Sequence, residues 1–145
     1  MLAFYTVLLA AAVAFATPDY SFTPPVGWTQ VKGRPVFTNG QSAIGVAPVQ
    51  LKGRKNVAKA YLTNPELKAI ASRTSLLGGR PSEEFEVIKD DQKFSAGCAV
   101  DFGDACLMFF LEYTGGPKPP ADVLAKFNAA KATFRFSAVT RTKQP

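Results

Sequence analysis

Several short segments of the chain alternate apolar and polar residues, a pattern typical of β-strands with one buried face. They span residues 19–23, 28–32, 35–38, 42–49, 84–89 and 133–137. Asn39-Gly40 separates the third segment from the fourth and is a strong signal for a tight turn, so we predict a β-hairpin there. Residues 84–89 alternate clearly enough to predict a strand with one face in water.

Other segments have apolar residues at helical spacing. In residues 56–73 the series is Val57, Ala60, Tyr61, Leu67, Ile70 and Ala71, and Thr74 continues it. Asn64-Pro65-Glu66 interrupts it with residue types that cap and start helices, so we predict two helical pieces rather than one. A later amphipathic helix is predicted from the apolar stripe of Val123, Leu124, Phe127 and Ala130.

Cys98 and Cys106 are the only cysteines, and they flank the turn-forming residues 101–103. If those three residues are the loop of a hairpin, the two cysteines face each other on neighbouring strands. Their Cα atoms would then lie about 4.5–5.5 Å apart, a distance that a disulfide accepts. We therefore predict a structural disulfide. A redox pair would need closer Cys-x-x-Cys spacing, and a metal site would need more ligands.

The N-terminal segment supports this prediction because it indicates an oxidising destination. The first 17 residues carry no charge and close with Ala14-Phe15-Ala16 ahead of Pro18. An apolar run that ends in an A-x-A motif is typical of a secretory signal peptide, so we assign residues 1–16 to one. The protein is then secreted or periplasmic. No cation precedes Lys32, which keeps a retained anchor and a buried first helix open as alternatives.

The remaining residues have the size of one domain. We assign residues 17–139 to a single α+β domain and residues 140–145 to a frayed C-terminal tail. Strands, a helix, more strands, a helix and a final strand follow one another in this order. That order predicts an antiparallel sheet covered by helices.

Two motifs near the ends of this domain resemble the Mog1/PsbP-like family. Phe22, followed by Pro25, Gly27 and Trp28, is similar to the F-x-x-P-x-G-W opening of that family. A helix carrying Phe127 and then Thr133-Phe134-Arg135 is similar to its closing helix and strand. The resemblance implies a three-layer α/β/α sandwich. It implies no shared catalytic residues, because members act as photosystem accessory proteins, as partners of a small GTPase or as bacterial envelope proteins.

The charge distribution suggests one candidate site for a partner. The chain has 17 Lys and Arg residues against 11 Asp and Glu residues, for a formal net charge of +6. Lys52, Arg54, Lys55 and Lys59 gather where a strand is expected to give way to a helix. Such a cluster can bind phosphate or carboxylate groups, aided by the helix N-terminus. A solvated loop without a partner is the alternative interpretation.

Candidate catalytic groups are few. The chain has no histidine, which excludes Ser-His-Asp and Cys-His nucleophiles and the common zinc sites. Asp101, Asp104 and Glu112 could form a glycosidase-like carboxylate pair, but turn positions and a wet strand face explain them better. We therefore predict that the protein is not an enzyme and that it has neither cofactor nor metal.

These observations together predict an exported, non-enzymatic binding or accessory domain. Its partner would be a protein or an anionic envelope component, including the membrane surface, rather than nucleic acid. The alternative function is an inhibitor of, or immunity factor against, a secreted hydrolase. In that case the inhibitory loop would be residues 101–104 or residues 115–120.

Overall fold

The computed structural model of the chain describes residues 13–50, 57–102 and 105–137. The short strands are β1 (Phe15–Ala16), β2 (Tyr20–Phe22), β3 (Thr29–Gln30), β4 (Val36–Thr38) and β10 (Arg135–Phe136). The long strands are β5 (Ser42–Gln50), β6 (Leu67–Leu77), β7 (Arg80–Lys89), β8 (Lys93–Phe102) and β9 (Ala105–Tyr113). The helices are α1 (Val57–Leu62) and α2 (Ala121–Ala132).

The long strands form one antiparallel sheet. Its order is β3-β4-β5-β9-β8-β7-β6, so β6 to β9 run as a meander and β5 returns to pair with β9. A second sheet, in the order β1-β2-β10, joins the two ends of the described chain. In it Tyr20 pairs with Phe136, and the Ser137 N–H donates to the Asp19 carbonyl over 2.8 Å.

Helices cover both faces of the large sheet. On the side that we call the α2 face, Phe127 of α2 and Phe22 of the small sheet pack against Phe109. On the opposite side, the α1 face, Ala58 and Tyr61 of α1 pack with Phe85 and its neighbours. The molecule is thus an α+β sandwich with an antiparallel sheet between helical layers, which confirms the predicted fold class.

Aromatic rings fill the core on the α2 face. The Phe109 ring lies 5.3 Å from that of Phe22 and 5.4 Å from that of Phe127, measured between centroids. Phe134, which directly precedes β10, stacks on Tyr20 at 5.5 Å. Pairs at such distances contribute about 0.5–1.5 kcal/mol each beyond the area they bury. Trp28 is half-buried and packs at the margin of the same cluster.

The hairpin predicted at Asn39-Gly40 is confirmed. Thr38 of β4 pairs with Ala43 of β5, and the Asn39 side-chain oxygen accepts hydrogen bonds from the N–H groups of Gln41 and Ser42. Gly40 takes φ +101°, which a residue with a Cβ rarely adopts. The strand at residues 84–89, the helix around Phe127 and the last strand are confirmed as well.

The prediction of a second helical piece within residues 56–73 is wrong. Only α1 is helical, and Leu67 onward forms β6, which pairs along its whole length with β7. A bulge between Ala69 and Ala71 inserts Ile70 as an extra residue, so the strand loses its regular period of two at that point. The interrupted alternation leaves apolar residues three and four apart, which imitates a helix.

The described residues begin inside the predicted signal segment. Phe15 and Ala16, its last two residues, form β1, and the Phe15 ring lies 5.6 Å from the rings of both Phe22 and Phe37. The remainder of the segment up to residue 12, and the predicted frayed tail at residues 140–145, lie outside the described residues.

Candidate functional site

The two cysteines do not form the predicted disulfide. Both are free thiols, because β8 and β9 pair in a register that places Cys98 opposite Phe109 and Cys106 opposite Asp101. The predicted loop of residues 101–103 requires a different register, three positions away. When the register of two paired strands shifts by an odd number of residues, side chains that shared one face of the sheet come to lie on opposite faces. Cys98 therefore lies on the α2 face and Cys106 on the α1 face.

Neither thiol is a reactive nucleophile. Burial and the neighbouring Glu84 carboxylate raise the pKa of Cys98 to about 12. Burial and Asp101 raise the pKa of Cys106 to about 12 in the same way. Because the thiolate is the nucleophilic form, both cysteines are unreactive at neutral pH.

The most strongly perturbed carboxylate of the described residues is Glu84, on the α2 face of β7. It is only 5% exposed. Lys131, in the last turn of α2, donates a hydrogen bond to Glu84 Oε1, and Arg73 Nε on β6 donates to Oε2 over 2.6 Å. Cys98 Sγ donates to Oε1 over 3.4 Å. The cluster of Glu84, Arg73, Lys131 and Cys98 thus ties three strands of the sheet, β6, β7 and β8, to α2.

The charges of this cluster hold Glu84 ionised. Burial by itself raises the pKa of Glu84, but the hydrogen bond from Lys131, a hydrogen bond from Ser75 and the positive charge of Lys131 together lower it to about 2. A cation near the C-terminus of a helix is also favoured by the helix dipole. Glu84 is therefore a permanent anion at neutral pH and cannot serve as a proton donor there.

The sequence pattern did not reveal this cluster. Glu84 and Glu86 alternate with Phe85 and Val87, which predicts that the glutamate face is wet. That prediction is wrong at Glu84, because the end of α2 brings Lys131 over it. The available signal for this cluster was a glutamate within an apolar strand. Its partner Lys131, however, is 47 residues away in the chain.

The predicted anion site is only partly described. Lys52, Arg54 and Lys55 lie outside the described residues. Lys59 is an exposed residue of α1, and its backbone carbonyl accepts a hydrogen bond from the Thr63 hydroxyl. The grouping of these four cations therefore stays a prediction.

The candidate carboxylate pair is not assembled. Asp101 pairs across the strands with Cys106, whereas Glu112 pairs with Ser95, six positions further along β9. At about 3.3 Å per residue, that separation is roughly 20 Å, far beyond the spacing of glycosidase carboxylates. Both side chains are exposed. Asp104 lies outside the described residues.

A cavity of about 460 Å³ opens at one end of the large sheet. The register between β7 and β8 ends at Glu83 and Ala99, which both line this cavity. The lining consists of Thr74, Arg80, Pro81, Ser82, Glu83, Ala99, Val100 and Asp101. Ser82 is 4% exposed, and its hydroxyl has no hydrogen-bond partner among the described residues. Because the charged lining has both signs, it favours no single class of ligand.

The far edge of the large sheet is formed by β6. Within residues 13–50, 57–102 and 105–137 this strand pairs only with β7. Most of its side chains are exposed, including Leu76, which is 64% exposed. An edge strand presents backbone N–H and C=O groups that another strand can bind.

Other kinds of site are not found in the part of the chain that the structure describes. Neither α1 nor α2 is long and apolar enough to cross a membrane. No group of three or more acidic or cysteine side chains in the described ranges is placed to hold a metal ion.

Comparison with known proteins identifies the fold. No protein-family model and no curated protein sequence matches the chain. The solution structure of cyanobacterial PsbP (CyanoP) from Synechocystis sp. PCC 6803 is similar, with a TM-score of 0.57 and 16% identity, and the match covers 91% of this chain and 96% of that chain. LpqN, involved in cell envelope biogenesis of Mycobacterium tuberculosis, is similar with a TM-score of 0.54 and 11% identity, over 81% of this chain and 83% of LpqN.

Both matches extend over most of this chain and support the fold that the first and last motifs of the sequence predict. At identities of 16% and 11%, the likeness concerns the fold and not the chemistry. The chain therefore has the Mog1/PsbP-like α/β/α sandwich fold.

Proposed function

We propose that this protein is an exported, non-catalytic accessory domain that binds a protein or an anionic component of the cell envelope. The observation that carries the proposal is the state of Glu84. It is the buried carboxylate of the described residues, and Lys131 and Arg73 hold it as a fixed anion. General acid–base catalysis needs a group whose pKa lies near the working pH, and Glu84, at about 2, is far from it.

The cysteines support the same proposal. A thiol with a pKa of about 12 carries almost no thiolate at neutral pH, and this holds for Cys98 and for Cys106. Because the chain lacks histidine, it has no usual base to activate either thiol. The groups best suited to covalent or acid–base chemistry therefore act in packing and in ion pairs.

Export is supported by the uncharged N-terminal segment and by one structural relative. An apolar run with a closing A-x-A motif is the usual mark of a secreted precursor. LpqN, which shares the fold, is described as involved in cell envelope biogenesis. Expression of the full chain in a secreting host, followed by measurement of the intact mass, tests export. A chain that keeps Met1 and stays in the cytosol would contradict it.

The anionic form of the proposal has a direct test. Purified protein is titrated against vesicles containing anionic lipid, and against a polyanionic polysaccharide, at increasing salt. Binding at low salt should fall as salt rises, and a Lys52→Glu, Arg54→Glu, Lys55→Glu variant should lose it. The matched control reverses three exposed lysines elsewhere in the chain, Lys89, Lys93 and Lys118. Equal loss in both variants would indicate attraction by net charge and no specific site.

The accessory role also predicts that the protein converts no substrate. Wild-type protein incubated with general esterase, glycosidase, phosphatase and peptidase substrates should give rates equal to those of a buffer blank. A rate that follows the protein through purification and is lost in a Glu84→Gln or Cys98→Ala variant would contradict the proposal.

A further inference from the structure

The edge strand β6 is unusually long for a strand that has one neighbouring strand in the described part of the chain. It has 11 residues, whereas strands in globular proteins average about five or six. Natural proteins usually protect such edges with lysines, prolines or bulges that prevent other chains from pairing with them. How these protective features are distributed along β6 therefore shows which part of the edge is open.

The first half of β6 is protected and the second half is not. Lys68 and the bulge at Ile70 both lie in the first half. From Ala71 opposite Glu86 to Leu77 opposite Arg80 the register with β7 is unbroken. Residues 72–76 contain neither proline nor lysine, and Leu77 after them is buried in the core. This regular half also carries Leu76, whose exposure of 64% leaves an apolar side chain in solvent.

We infer that residues 72–76 of β6 accept an added β-strand from a protein partner. The added segment would be extended and would place an acidic residue beside Arg73 and an apolar residue beside Leu76. The inference rests on the proposed function, of which it specifies the protein-binding form. Backbone hydrogen bonds would supply affinity, and the two side-chain contacts would supply specificity.

Arg73 is the reason for an acidic partner. Its Nε–H group donates to Glu84, yet 57% of the side chain is exposed, so part of the guanidinium stays accessible to solvent. The neighbouring strand β7 already pairs a carboxylate with this guanidinium, because Glu84 on β7 is the residue opposite Arg73. A carboxylate on an outer strand would bind the same guanidinium from the other side.

Charge also argues against a second copy of β6 as the occupant. The strand contains Lys68 and Arg73 and no acidic residue. Two copies paired edge to edge would bring four cations along one ladder without a carboxylate between them. Like charges on adjacent strands destabilise pairing, whereas an acidic segment complements them.

The probe for this site is a library of random linear peptides displayed on phage and selected against the folded full-length chain. We expect enriched peptides to alternate apolar and acidic residues. Their affinity should fall about tenfold or more for Leu76→Lys, a change at the docking edge. The matched control is Val26→Lys, which adds the same charge at a position of similar exposure, 57%, and should change affinity less than about twofold. For Arg73→Gln, the preference for acidic residues should disappear.

The outcomes separate the docking site from the wider proposal. Peptides that bind both lysine variants as tightly as wild type would place the site elsewhere and overturn the inference, while a binding domain remains. If no peptide is enriched but the protein binds anionic vesicles in a salt-dependent way, the inference is overturned. The anionic form of the proposed function then remains. A dimer in sedimentation that Leu76→Lys abolishes would make a second copy the occupant and would also overturn it.

Discussion

Cys98 lies opposite Phe109 on one face of the central sheet, whereas Cys106 lies opposite Asp101 on the other face. The body of the sheet therefore separates the two sulfur atoms, and no rotation of either side chain brings them together. A disulfide requires Cβ atoms within about 4.5 Å of each other, on the same side of the sheet. The stability of this domain consequently rests on its two cores and not on a covalent cross-link.

The first prediction concerns these thiols. After refolding in a glutathione redox buffer, the intact mass should correspond to two free thiols. Iodoacetamide should modify the native protein slowly, because both cysteines are buried and both have a pKa of about 12. The same protein in denaturant should react at both sites and serves as the control. An intact mass lower by two hydrogens would contradict the register of β8 and β9.

The second prediction concerns Glu84 and pH. The pKa of Glu84 is about 2 in the folded protein, below its ordinary value of 4.5. A lowered folded pKa contributes stability above the unfolded value that is lost as the pH falls through the folded value. In urea unfolding, the free energy of unfolding should therefore decrease from about pH 4.5 towards pH 2.

Substitution of Glu84 isolates this contribution. Glu84→Gln should lower the free energy of unfolding at pH 7 by about 3 kcal/mol, because it leaves Lys131 without its buried partner. It should also flatten the decline below pH 4.5. The control Glu83→Gln changes an exposed neighbour and should cost less than about 0.5 kcal/mol. An unchanged pH profile in Glu84→Gln would be incompatible with the cluster.

The third prediction concerns the close approach of β7 and β8. A Cβ added at Gly97 would lie 2.6 Å from Cζ of Phe85 and 3.0 Å from Sδ of Met108. Gly97→Ala should therefore cost about 2 kcal/mol through overpacking. Phe85→Leu removes the obstructing ring atoms, so the double variant should cost less than the sum of the two single variants. Additive costs in this cycle would show that the two residues do not interact.

The fourth prediction concerns the turn between β7 and β8. Asp90 and Asp91 both have positive φ, +55° and +52°, and the Gln92 N–H donates to the Lys89 carbonyl. This geometry is that of a type I′ turn, which favours glycine at its second central position. Asp91→Gly should stabilise the protein by about 0.5 kcal/mol, and Asp91→Ala should destabilise it by about 1 kcal/mol. Thermal unfolding of the two variants gives the sign, and a reversed order would exclude this turn.

The fifth prediction concerns β1. Phe15 is half-buried against Phe22 and Phe37, but cleavage after Ala16 would remove it. A chain that begins at Thr17 should be less stable by about 1–2 kcal/mol than one that begins at Phe15. Phe15→Ala in the longer chain should reproduce most of the loss. Equal stability of all three would mean that β1 contributes nothing to the core.

Local patterns predicted the elements whose period is undisturbed. The hairpin at Asn39-Gly40 and the helix around Phe127 were found because turn chemistry and apolar spacing are readable within a few residues. The sequence predicts a helix where β6 lies, because the bulge at Ile70 shifts the strand alternation by one residue. The cysteine hairpin was misread because several registers fit the turn residues between β8 and β9, and only the pairing of whole strands distinguishes them.

The candidate site was harder to predict than the fold. Glu84, Arg73 and Lys131 come from two strands and a helix, and no short motif contains them. A glutamate in an alternating strand is usually exposed, and only tertiary packing of α2 shows otherwise. The open half of β6 cannot be predicted from the sequence either, because the apolar spacing around its bulge predicts a helix.

The small sheet has a consequence for the timing of folding. It joins Phe22, near the start of the domain, to Phe136, near its end, within one aromatic core. Until β10 pairs with β2, the core on the α2 face lacks its closing strand. Because Tyr20 and Phe136 lie nearly the whole domain apart in sequence, bringing them together closes a long loop, and the α2-face core should be completed late in folding.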